Sequence, residues 1–69
     1  PGMKTEIEEL YAELHAAEHD LEEATDVWED IDRHGEHYGL SAARQRMMAA
    51  YENVKRIKSE ILRLGAARA

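Results

Sequence analysis

The stretch His15-Ala16-Ala17-Glu18-His19 comes nearest to chemistry in residue type and spacing. On a helix, imidazoles four residues apart lie one turn apart and can share a zinc ion, while the glutamate between them activates a bound water. Such a site also needs a third protein ligand and an open position within a cleft. Ala17 falls on the apolar stripe described below, which turns His15, Glu18 and His19 to other faces, and 69 residues leave no room for a cleft around them. They read as surface residues. The segment His34-Gly35-Glu36-His37-Tyr38-Gly39 sets two more histidines near Glu36 and Asp30, but exposed ligand types of this kind are common in turns. No metal and no cofactor are expected at either place.

The five-residue string resembles the H-x-x-E-H signature of inverted zinc peptidases, and the resemblance ends with those five residues. The chain has no Ser/His/Asp order that could meet in space, no glycine-rich phosphate loop and no pair of carboxylates in an enclosed pocket. It is not read as an enzyme.

Charge is the next feature. The net charge of −6 conceals an asymmetry: Glu6–His34 holds twelve acids against Arg33 alone, near −11, whereas Ser41–Leu64 holds six bases against Glu52 and Glu60, near +4. Folded back on each other, the two halves attract. The doublets Glu8-Glu9, Glu22-Glu23 and Glu29-Asp30 recur on a seven-residue spacing, about 10.5 Å along a helix. They read either as a solvated face or as a row of carboxylates imitating nucleic-acid phosphates, able to occupy the groove of a basic nucleic-acid-binding protein. An acidic inhibitor of a nuclease, of the kind mobile elements use against host defence, is the alternative function. The basic strip Lys55, Arg56, Lys58 and Arg63 resembles, in architecture alone, the helical faces of small plasmid RNA-binding hairpins. A net charge of −6 with acids alongside argues against direct nucleic-acid contact.

The elements that position these groups follow from periodicity. Ile7, Leu10, Leu14, Ala17, Leu21, Ala24, Trp28 and Ile31 alternate spacings of three and four without a slip, and Leu40, Ala43, Met47, Ala50, Val54, Ile57, Ile61 and Leu64 do the same. Two such repeats predict an all-α chain, residues 1–69 forming one antiparallel two-helix coiled-coil hairpin. Helix 1 is expected at about 6–34, opened by a capping box Thr5-Glu6-Ile7-Glu8 and ended by Gly35. A loop at about 35–41 follows, then helix 2 at about 42–64, capped by Ser41 and stopped at Gly65. Folding at the loop pairs positions whose numbers sum to about 71. Trp28 then meets Ala43, Ala24 meets Met47, Leu21 meets Ala50 and Ala17 meets Val54, large against small, while Leu14 with Ile57 and Leu10 with Ile61 are large against large.

No apolar run reaches the roughly 18 residues of a membrane span, and with no cysteine there is no disulfide or thiolate site. Pro1-Gly2 reads as a tag remnant ahead of a native Met3, and the expected location is cytoplasmic. A core this small needs a supplement. One side of the hairpin carries Tyr11, His15, Met48, Tyr51 and Leu62, whereas the other has little beyond Val27 and small alanines. That patch is expected to pair with itself, giving a homodimeric four-helix bundle that acts as a protein-interaction or assembly module.

Overall fold

The computed structural model describes residues 6–35 and 39–68, the last three as backbone alone. The expected capping box reaches Thr5, outside the described residues. Two helices, α1 (Glu6–Arg33, 28 residues) and α2 (Leu40–Arg68, 29 residues), pack against each other as a hairpin. Acids Glu6, Glu8 and Glu9 occupy the first turn of α1, where the helix dipole favours negative charge. At its other end His34 N–H donates to the Asp30 carbonyl (3.2 Å) and Gly35 N–H to that of Asp32 (3.1 Å). Gly35 has φ +68°, the left-handed conformation that ends a helix with least strain.

The expected ends of the second helix need correction at both sides. The Ala43 N–H donates to the Gly39 carbonyl at 2.9 Å, so Gly39, not Ser41, is the N-cap, and Ser41 lies inside the first turn. Gly39 adopts φ +83°, which lets the chain enter the helix early enough to dock Leu40 half-buried on the seam. At the far end α2 runs through Gly65 to Arg68. A glycine inside a helix is about 1 kcal/mol less favourable than alanine. That is too little to stop a helix when Ala66, Ala67 and Arg68, all good helix formers, come next.

The core is the predicted seam. All sixteen alternating positions are buried or half-buried, and among the other described side chains only Thr25 and Glu60 are less than exposed. The seam is therefore narrow, as a coiled coil requires. Ala17, Val54 and Ile57 form its buried cluster, with Leu10, Leu14, Leu21 and Ile61 packed around them. Both members of three expected layers thus lie in one cluster. Among the described residues six are buried, four of them the alanines Ala17, Ala24, Ala43 and Ala50, and Ile57 is the only large side chain wholly enclosed. The remaining large seam residues stay half-covered. The molecule measures 52 × 23 × 14 Å. Its least dimension is close to the ~10–12 Å of a single helix with side chains, so the hairpin is one layer thick.

Candidate interaction surface

With a at Ile7 and Leu40, each helix has two flanks beside its seam: positions e and b on one side, g and c on the other. In an antiparallel pair the e positions of both helices share a side, as do the g positions. The g/c side is observed directly. Arg46 Nη2 donates to Asp20 Oδ1 across the two helices at 3.3 Å, and an open groove beside this pair is lined by Glu13, Ala16, Asp20, Asn53 and Arg56. A second groove, toward the open end, is lined by Glu6, Glu9, Glu13, Glu60 and Arg63. Arg56 is held along its own helix by Asn53 Oδ1 (2.8 Å) and Glu60 Oε1 (3.4 Å).

The e/b side differs. Tyr11 (51%), Met48 (48%), Tyr51 (48%) and Leu62 (73%) are the large apolar side chains most exposed to solvent, together with Val27 (44%) on the opposite flank. His15 is exposed among them. Lys55 Nζ lies 5.4 Å from the centroid of the Tyr51 ring and 3.9 Å from Glu52 Oε1. The cation is attracted by the ring face, which leaves the tyrosine standing as an apolar post beside a charge. The charges of this flank divide by helix. Glu8, Glu18, Glu22, Glu29 and Asp32 border it on α1, and Arg44, Lys55 and Lys58 border it on α2. The ion pair of Asp20 with Arg46 crosses between the helices on the other flank.

The six carboxylates of the acidic doublets are all exposed, but they do not form one row. The first of each doublet, Glu8, Glu22 or Glu29, takes position b beside the apolar flank. The second, Glu9, Glu23 or Asp30, takes position c toward the g side. One heptad is also missing, because His15-Ala16 stands between Glu8-Glu9 and Glu22-Glu23. Two of the acids face histidines of their own helix: Glu23 Oε1 is 3.9 Å from His19 Nε2, and Asp30 Oδ1 is 3.6 Å from His34 Nδ1.

His15, Glu18 and His19 lie exposed on α1, and no group of three or more potential metal ligands occurs among the described residues. Glu36 and His37, the rest of the loop candidate, lie outside them. His34 Nδ1 is 2.8 Å from the Asp30 carbonyl oxygen, to which the Nδ1–H tautomer donates at the end of α1. Trp28 Nε1–H is buried without a hydrogen-bond partner among the described residues, beside an open groove lined by Leu40, Ser41 and Arg44. No described helix is long and apolar enough to cross a membrane.

Fold and surface define a class: a one-layer helical hairpin with one polar flank and one apolar flank. Neither protein-family models, nor curated proteins, nor solved structures match this chain.

Proposed function

We propose that the chain is a non-catalytic interaction module that works as a homodimer, two hairpins joining through their e/b flanks into a four-helix bundle. The observation that carries this reading is the exposed apolar flank: Tyr11, Met48, Tyr51 and Leu62 are 48–73% exposed, an apolar surface costly to leave in water on so small a protein. A specific interface of about 800 Å² on each partner would cover it. Half-covered seam residues and the exposed Tyr11, Met48, Tyr51 and Leu62 mark where the cover belongs. Domains generally need two packed layers around a core, and a second hairpin supplies the missing one.

Sedimentation equilibrium tests this directly. At tens of micromolar the wild type should run near twice its 7.9 kDa chain mass. Met48→Glu with Tyr51→Glu places four carboxylates in a two-fold interface, a burial that unpaired charges resist strongly, and should give monomers. A wild type that stays at 7.9 kDa would remove the homodimer.

A further inference from the structure

The geometry points to one arrangement of that dimer: the two-fold axis runs parallel to the helices, so that α1 of each copy lies antiparallel on α2 of its mate and both loops sit at the same end. This rests on the dimer reading above. Two face-to-face arrangements are available to a pair of hairpins joined through one flank. An axis perpendicular to the helices lays α1 on α1, and an axis parallel to them lays α1 on α2. On this flank α1 contributes Glu8, Glu18, Glu22, Glu29 and Asp32, and α2 contributes Arg44, Lys55 and Lys58 with no acid. The first arrangement therefore opposes carboxylate to carboxylate and base to base, and the second opposes each to its complement.

Symmetry then sets the register. A two-fold rotation moves nothing along its own axis, so each residue of α1 meets α2 of the mate at the level it already has within its own hairpin. The seam layers pair numbers that sum to 71, and the flank pairs sum to 73, about one turn or less away along the axis. Glu29 falls beside Arg44 of the mate, Glu18 beside Lys55 and Tyr11 beside Leu62, each contact occurring twice. Arg44, Glu29 and Glu18 have no ion-pair partner within their own chain among the described residues. By the same spacing Glu22 falls beside Tyr51, His15 beside Lys58 and Thr25 beside Met48, so the register makes two opposite-charge pairs and one apolar pair and opposes no carboxylate to another.

Two measurements on the full chain test the arrangement. The protein has no cysteine, so a nitroxide on Arg33→Cys, an exposed position near the loop, reports one inter-copy distance. Loops at the same end give about 20–35 Å, two to three helix diameters. The perpendicular axis gives about 40 Å or more, since Arg33 lies some 13 residues from mid-hairpin. The second measurement is affinity. Glu29→Arg and Arg44→Glu should each raise the dimer dissociation constant about tenfold, because each puts two like-charged contacts in the interface. The double variant should return to within about threefold of wild type. A dimeric wild type with the long distance, or a double variant no better than the singles, overturns this arrangement and leaves the dimer standing. A monomeric wild type overturns both.

Discussion

The two flanks of the hairpin border the same seam and end differently. On the g/c side, polar groups are answered from within the chain: Asp20 by Arg46 across the helices, Arg56 by Asn53 and Glu60 along one of them. On the e/b side, tyrosines, methionine and leucine stand exposed, with acids on α1 and bases on α2, and Glu18, Glu29 and Arg44 have no ion-pair partner among the described residues. Acids also fill the g/c side of α1, as Glu9, Glu13, Asp20, Glu23 and Asp30, so the flanks differ in exposed apolar surface and in where polar groups find partners rather than in how charge divides between the helices. The g/c flank has its polar pairs made within the chain, and the e/b flank is the one proposed to meet a second copy.

The sharpest way to break that comparison is to put the same insult on each flank. Met48→Glu with Tyr51→Glu should abolish the dimer, whereas Val27→Glu, on the g/c side and exposed by 44%, should leave the sedimenting mass unchanged. Equal loss from both would mean that the flanks are not distinct.

Next in size is the seam that both flanks share. Ala50 is buried at 6% exposure and the heptad pairing sets it opposite Leu21, so Ala50→Leu should overpack the layer and cost on the order of 1–3 kcal/mol. Leu21→Ala with Ala50→Leu swaps large for small and should recover part of that. Urea denaturation of all four proteins must be run at one chain concentration, because dimerisation adds to apparent stability. A double variant no more stable than the sum of the singles would refute the pairing.

The seam was legible because burial on a helix has a period, and sixteen residues keep it; each is buried or half-buried. The ends of α2 were not. Ser41 is the better N-cap by residue type, yet Gly39 caps, because Leu40 is itself a seam residue and has to be helical to reach the groove. Residue-type preference yielded to packing. Gly65 was misread for the opposite reason: its penalty is local and small. A Cβ built there meets nothing within 4 Å, so Gly65→Ala should stabilise by about 0.5–1 kcal/mol in the same denaturation assay. A loss of stability would indicate that the position is crowded by the second copy, since it lies on the e/b flank.

The exposed surface was legible in part. The apolar residues Tyr11, Met48, Tyr51 and Leu62 are found exposed where the heptad places them. Counting doublets, however, hid the division of the acids between positions b and c and the missing heptad at His15-Ala16. The Asp20–Arg46 contact was also passed over, though both residues occupy g positions, which antiparallel helices bring together.

That contact carries the smallest expected effect, and it bears on the finished flank. Both side chains are about half exposed, 55% for Asp20 and 49% for Arg46, so water and salt screen their attraction and the two lose rotamer freedom in meeting. Exposed pairs of this kind contribute roughly 0.2–1 kcal/mol. A double-mutant cycle of Asp20→Ala and Arg46→Ala should give a coupling in that range that shrinks as ionic strength rises. The sedimenting mass should stay unchanged through all four corners of the cycle, because the pair lies on the flank outside the proposed interface. A change in mass on breaking it would place the g/c flank in the interface and undo the contrast between the two sides.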